Sequence, residues 1–509
     1  MVRRVRVGVG ILLAGGLLLG VAACGGETEA TSGQSISIRA LEDIDTWDPH
    51  VAASTSSMFW LGPVYEGLVR TTPDGDYAPL LAEKFEYEDS GKKLVFHLRK
   101  DVKFSDGEAL SAEAVKGSLD RAMTFKDSQY GGDMKEVIKR TVVVDENTVE
   151  LDLTPDSAGV LDTLAGAAGV VVSPKTLAGA DIATKPVGTG PYVLTTHRRD
   201  QEIDFTANDT YWGGKPGVES LKIKVIPSDS TAVSALGSGE VDIVTEAQSV
   251  LSTAVVEQAR SMDGVKVSAP GGAGVFEITL NRAPRSPFAD ARVRQAIYQA
   301  IDIDGLLKVL PGATKSVQYA VPSSPFAVEG LEDRFSYDPE NSRRLLSQAG
   351  LADGLSFEMR VIDAGSYVPL SEFIKANLAK VGIDVRLRVT ELASFREDCT
   401  IEQSCESTLT RVKLSADPVV SARSRVLSGE SSAWGEIPEA SAAAYSKAAA
   451  SSDAETHEEA VRAFSTAYAE DYQNILLAAQ PVSLLANEKV GEIDVNFNGI
   501  PQWASIAKR

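Results

Sequence analysis

Leu370-Ser-Glu-Phe-Ile-Lys-Ala-Asn-Leu-Ala-Lys-Val-Gly-Ile-Asp-Val-Arg-Leu-Arg-Val389 holds a helix, a stop and a strand in one run. Leu370, Phe373, Ile374, Leu378 and Val381 recur at helical spacing, so they form one apolar face. Gly382 supplies a left-handed stop, and Ile383 to Val389 then alternates apolar and polar as a half-buried strand does. Outward from this unit the same grammar repeats. Val293, Ala296, Ile297, Ala300 and Ile301 face one side of a helix at 290–301, with Arg292, Arg294, Gln295 and Gln299 on the other. Strands are expected at Ser356 to Ile362, Leu221 to Ile226, Val241 to Val244 and Gly274 to Leu280, and a helix at Asp229 to Leu236. Glu439 to Ala449 and Asp453 to Asp471 read as alanine-rich helices, followed by strands around Ile475 to Ala486. Helices alternating with strands in this way give an α/β fold with mixed sheets.

The N-terminus sets the compartment. Arg3, Arg4 and Arg6 form a basic region, Val7 to Leu19 is an apolar run too short to span a bilayer comfortably, and small residues precede Cys24. This resembles a bacterial lipoprotein signal. The resemblance implies cleavage between Ala23 and Cys24, lipidation of Cys24, and residence at the outer face of the cytoplasmic membrane; an ordinary secretory signal or a single membrane anchor are the alternatives. Residues 24–34 are small and polar and read as a flexible tether.

Composition narrows the remaining classes. The formal charge of -21 becomes -24 once residues 1–23 are removed, which argues against nucleic acid as a partner. The length exceeds one hydrophobic core and suggests about three domains. Past Cys24 only Cys399 and Cys405 remain, and outside the cytoplasm such a pair forms a disulfide. A metal site would need further ligands beside them. The sequence contains no Gly-x-Ser-x-Gly elbow, no phosphate-cradling Gly-x-x-x-x-Gly-Lys-Ser/Thr and no His-Glu-x-x-His, and His50, His97, His197 and His457 stand apart from one another. An enzyme is therefore not expected, nor a cofactor.

A series of short motifs runs in a fixed order. Tyr65-Glu-Gly-Leu-Val69 and Pro79-Leu-Leu-Ala-Glu83 lead to the long Phe96 to Val115 stretch and to Gly188-Thr-Gly-Pro-Tyr192. Asn208-Asp-Thr-Tyr-Trp212, Ala235 to Asp242, Arg292-Val-Arg-Gln-Ala-Ile297, Leu345 to Gly350 and Leu378 to Val385 follow. Locally these read as turns and packing: Asp106-Gly107 is a turn before a helix that Ser111 can cap, and Pro191 stiffens entry into a strand at Val193 to Thr196. Together, from about Ile36 to about Ala486, they resemble the extracellular solute-binding proteins of the oligopeptide, dipeptide and nickel type that feed ABC importers.

The resemblance implies a monomeric, two-lobed periplasmic-binding-protein-like fold that closes by hinge motion around a small solute, with an ABC permease and ATPase as partners. The first lobe would comprise 35–57, 186–270 and 482–509, with an extra subdomain at 58–185; the second would span 271–481. Peptide-binding members hold the ligand's amino terminus with an aspartate in a Trp-x-x-Asp-Tyr-x-Asp-Pro-like stretch. This chain has Arg411-Val-Lys-Leu-Ser-Ala-Asp417-Pro418, so the position falls on Leu414 or on Asp417 depending on the match, and the aromatic partners are missing. Asp363-Ala-Gly-Ser-Tyr367 stands where dipeptide binders have a carboxylate-binding arginine. Longer peptides or a non-peptide solute fit this better than a fixed dipeptide site. The candidate ligand residues are Asp417 for a cationic or donor group, Arg411 for an anionic one, Tyr367 and Trp434 as aromatic walls, and Trp47 from the first lobe. A secreted hydrolase on a similar scaffold and a ligand sensor are the alternative functions.

Overall fold

The computed structural model describes residues 35–509 except 53–56, 156, 180, 248–250, 270–272, 311, 322–323, 403, 416, 427–434, 436–437 and 452–453. Cys24, the tether and Trp434 lie outside the described residues.

Among the described residues three larger sheets organise the chain, beside a two-stranded one of Val69–Thr71 and Tyr77–Pro79. In the first, seven strands run in the order Val265–Ser268, Leu484–Asn487, Ile243–Thr245, Ser35–Ala40, Ser220–Val225, Glu202–Ala207 and Tyr192–Arg198. Ser35–Ala40 is its centre and pairs parallel on both sides, so Ile36 and Ile38 are fully buried. The second sheet has six strands, ordered Thr314–Lys315, Ile475–Pro481, Ala273–Leu280, Ser407–Lys413, Leu355–Ile362 and Ile383–Thr390. The last two are parallel, in register from Leu355 opposite Ile383 to Ile362 opposite Thr390, and the helix Tyr367–Ala379 makes the crossover between them. Gly382 sits at φ +87°, the left-handed stop that the sequence calls for. The helix begins before Leu370 because Pro369 lies in its first turn, where a missing N–H costs no hydrogen bond.

The third sheet is inserted in the chain after the central strand of the first. It is four-stranded and antiparallel, ordered Ala82–Glu88, Lys93–Leu98, Thr148–Leu153 and Ile138–Asp145. The helix Ala112–Thr124 packs over it, and Ser111 Oγ accepts from Ala114 N at 3.2 Å as its cap. Each sheet has its own core: Trp60, Phe205, Ile223 and Trp503 under the first, Phe96, Phe104, Leu119 and Leu151 under the third, Phe276, Ile297, Phe357 and Ile374 under the second. Arg121 of the helix Ala112–Thr124 grips Asp48 with two hydrogen bonds of 2.9 and 2.6 Å, tying the inserted unit to the first lobe.

The fold is thus α/β and two-lobed. The chain leaves the first sheet after Ser268, enters the second at Ala273, and returns between Pro481 and Leu484. Two adjacent crossings of this kind are the geometry of a hinge. Beside them Glu246 accepts from Leu251 N at 2.7 Å and Ser483 N at 2.5 Å, and burial raises its pKa while the opposing charge of Arg411 lowers it.

Candidate functional site

A groove of about 780 Å³ opens between the inserted four-stranded unit and the second lobe. The inserted unit contributes Tyr77, the hairpin tip Tyr87 to Gly91, and Ser157 to Leu161; the second lobe contributes Phe326, Asp417 and His457. The tip belongs to the hairpin of Ala82–Glu88 and Lys93–Leu98, and Asp89, Ser90 and Gly91 all have positive φ, at 48, 53 and 81°. Three successive left-handed residues reverse the chain tightly enough to project the tip into the groove mouth.

Asp417 stands at the groove's inner wall and is 4% exposed. One carboxylate oxygen accepts from Val419 N at 2.9 Å and so satisfies an orphan amide of the helix Pro418–Val426. The other meets His457 Nε2 at 2.9 Å. His457 Nδ1 lies 3.1 Å from the Ala448 carbonyl, and its ring stands edge-on to Phe326 at 5.5 Å. With a carbonyl on one nitrogen and a carboxylate on the other, both nitrogens face acceptors, which suits the doubly protonated ring. Burial works against the imidazolium, but the hydrogen bond and charge of Asp417 outweigh it and the pKa lies above the ordinary value. Opposite, Tyr77 donates to Asp162 at 3.1 Å. Burial, with the charges of Asp162 and Asp417, holds its phenol well above the ordinary value.

The two walls touch. Ala158 N donates to the Ala449 carbonyl at 3.1 Å across the groove. Beside it Gly159, at φ +81°, lies so close to Val420 that a Cβ there would overlap its Cγ2. Only glycine meets both demands, the backbone angle and the approach.

The other sequence-named residues divide. Leu414 is 1% exposed in the second lobe's core, so of the two matches it is Asp417 that faces the groove. Arg411 lies on Ser407–Lys413 with its side chain over Gly274; its Nη2 donates to the Gln480 carbonyl at 2.9 Å, which turns it toward the hinge. Tyr367 accepts from Arg411 N at 3.2 Å and packs edge-on against Phe276, within the core of the second lobe. Trp47 is 2% exposed, donates to His197 Nδ1 at 3.1 Å and packs on Phe205. It borders a separate cavity of about 520 Å³ in the first lobe, away from Asp417. Cys399 and Cys405 are joined by a disulfide beside Phe395 and Ile362.

Sequence reasoning missed His457, Tyr77, Tyr87, Phe326 and the Gly159 contact. His457 is forty positions from Asp417, and Tyr77 and Tyr87 lie on a two-stranded and a four-stranded sheet far from both in the chain, so no spacing links them. Among the described residues no group of three or more His, Cys, Asp or Glu is placed to hold a metal ion, and no helix is long and apolar enough to cross a membrane.

Comparison with known proteins agrees with this architecture. Residues 76–418 match the family described as bacterial extracellular solute-binding proteins, family 5 Middle. The chain is 29% identical over 368 residues to the dipeptide-binding protein of Escherichia coli (strain K12), covering 65% of this chain and 67% of that one. It is 29% identical over 378 residues to the glutathione-binding protein GsiB of Salmonella typhimurium (strain LT2), covering 72% of each. Among solved structures it is similar to NikA from Brucella suis in complex with Fe(III)-EDTA, with a TM-score of 0.81 and 26% identity over 93% of this chain and 100% of that one. A dipeptide binding protein from Pseudoalteromonas sp. SM9913 in complex with Met-Leu shares the fold, with a TM-score of 0.79 and 20% identity over 94% of this chain and 100% of that one.

Proposed function

Because the chain belongs to the bacterial extracellular solute-binding proteins of family 5, we propose that it captures peptides or a peptide-like solute in the groove at Asp417 and passes them to an ABC permease while held at the membrane by lipid on Cys24. It is a binding protein, not an enzyme. The observation that carries the reading is the groove itself: a concave, partly aromatic space between two units of the chain, with a buried carboxylate in its wall.

The working cycle follows from the contacts. A solute entering between the walls meets the carboxylate of Asp417, which the wall holds in place through Val419 N. The walls then close on it about the hinge crossings. The Ala158–Ala449 hydrogen bond and the Gly159–Val420 contact are made only with the walls together, so they contribute to the closed state alone. A net hydrogen bond is worth about 1 kcal/mol, enough to bias closure without locking it. Closure joins surfaces that are apart in the open state, and a permease can read that change as occupancy. Lipid on Cys24 would keep the receptor near its permease.

Thermal-shift screening against a library of di- to hexapeptides tests capture. Stabilisation by a subset of peptides, abolished in Asp417→Ala, is expected; no stabilisation by any peptide contradicts the reading. Cys24→Ser tests the anchor separately: membrane association and uptake fall while affinity is retained. Full uptake by that variant removes the tether from the mechanism.

A further inference from the structure

The carboxylate in the groove wall does not stand alone. One Asp417 oxygen accepts from Val419 N at 2.9 Å and the other from His457 Nε2 at 2.9 Å. The imidazole is held in place by the Ala448 carbonyl 3.1 Å from Nδ1 and by the Phe326 ring at 5.5 Å. A ring that faces an acceptor with each nitrogen has a hydrogen for both only as the cation. Burial opposes that charge, and the Asp417 carboxylate outweighs it. No lysine or arginine is among the described lining residues, so His457 is the cation of the groove, and it is engaged by Asp417. On the opposite wall Tyr77 donates its O–H to Asp162 at 3.1 Å, which leaves the phenol oxygen as an acceptor. Of the other lining carboxylates, Asp76, Glu88 and Asp89 stand exposed at the mouth, where water and salt screen them, and Glu458 is paired with Arg462 at 2.8 Å.

Resting on the proposed function, we propose that His457 sets the specificity of the inner wall: with its charge set against Asp417, the wall takes an uncharged hydrogen-bond donor of the solute, an amide N–H or a hydroxyl, in preference to a free ammonium. Each Asp417 oxygen has a second lone pair, so the carboxylate accepts one more hydrogen bond without releasing those it has. A neutral donor uses that lone pair and leaves the ion pair whole. An ammonium at the same place lies close to the imidazolium as well as to the carboxylate, because only 2.9 Å separates the paired groups. Attraction and repulsion then largely cancel, while the ammonium still loses its water. Displacing His457 instead leaves a half-buried imidazolium without its partner. The solute is therefore peptide-like with an uncharged donor at its inner end, such as a backbone amide or a blocked amino terminus. His457 acts through Asp417 and is a positioning residue.

The test uses two tripeptides of nearly one shape: Ala-Ala-Ala, and lactoyl-Ala-Ala, in which a hydroxyl replaces the ammonium. Each is titrated calorimetrically into the full mature chain at about pH 6, where imidazolium and amine are both charged, in physiological salt. The wild type is expected to bind lactoyl-Ala-Ala about tenfold tighter. In His457→Gln the side-chain amide still donates to Asp417 but carries no charge, so the preference reverses to favour Ala-Ala-Ala about tenfold. A histidine that only supported the fold would weaken both peptides alike. Asp417→Asn/His457→Gln removes both charges, and the preference for the ammonium disappears again. Should His457→Gln not fold, the wild-type comparison decides by itself. Equal or tighter binding of Ala-Ala-Ala by the wild type, or an unchanged preference in a folded His457→Gln, overturns the assignment and leaves the proposed function standing. Binding of neither peptide overturns it as well, and the thermal-shift screen then decides the proposed function separately.

Discussion

Gly159→Ala separates closure from folding. The added methyl has two consequences that fall on different states. At φ +81° an alanine pays a left-handed backbone cost of about 1 kcal/mol whether the walls are together or apart. The overlap with Val420 Cγ2 exists only with the walls together. Valine is stiff at χ1, so relief requires the walls to part or the backbone to shift, and overpacking of this kind costs about 1–3 kcal/mol. Folding stability of the ligand-free protein should therefore fall by about 1 kcal/mol, and ligand affinity by a further factor of about 5 to 150. Val420→Ala in the same chain removes the obstructing methyl and should restore most of the affinity while leaving the backbone loss in place. Urea denaturation of the free protein and calorimetric titration of the best peptide from screening measure the two effects independently. If Gly159→Ala lowers stability and leaves affinity untouched, these walls do not meet around the ligand and the groove is not the closing site.

Other outcomes follow from individual groups. Asp417→Asn should reduce affinity at least about tenfold and remove the His457 ion pair. Because the folded pKa of His457 is raised, its stabilisation is full below the unfolded value of about 6.5 and is lost as pH rises through the folded one; the wild type should therefore lose stability relative to Asp417→Asn as pH rises above about 6.5 in urea melts. Glu66 is buried and accepts from Thr189, Tyr211 and Trp212, each at 2.8 Å, and burial outweighs these bonds to raise its pKa from 4.5 to about 7. A raised acid favours the folded state when protonated, so stability should decline by up to about 3 kcal/mol as pH rises from 4.5 to above 7, and Glu66→Gln should flatten that slope. Cys399→Ser/Cys405→Ser should lower stability by about 2 kcal/mol, since the bridge closes a loop of sequence separation 6.

The strands and helices were largely legible because they depend on local pattern. Glu439–Ala449 was delimited to the residue, and the run at 370–389 yielded helix, left-handed glycine and strand. Local reading also anticipated the Ser111 cap. The site was less legible, because it is assembled from segments distant in the chain. Asp417 is named in the sequence through a broken motif; in the structure one of its oxygens starts a helix and the other faces His457 in the groove wall. Aromatic type alone does not say where a side chain lies. Tyr367 and Trp47 satisfy core packing and buried hydrogen bonds, while Tyr77, Tyr87 and Phe326 line the groove without any periodic signal. Gly159 stood out least, since a glycine's need for space is visible only against its neighbour Val420.

Hydrogen exchange, read by mass spectrometry with and without a saturating amount of the best peptide from screening, tests the central claim most directly. Protection should concentrate at residues 76–91, 157–161, 417–420 and 449–458, the two walls of the groove. Saturable binding with protection confined to the first lobe, or spread away from these segments, would place the solute elsewhere and contradict the account.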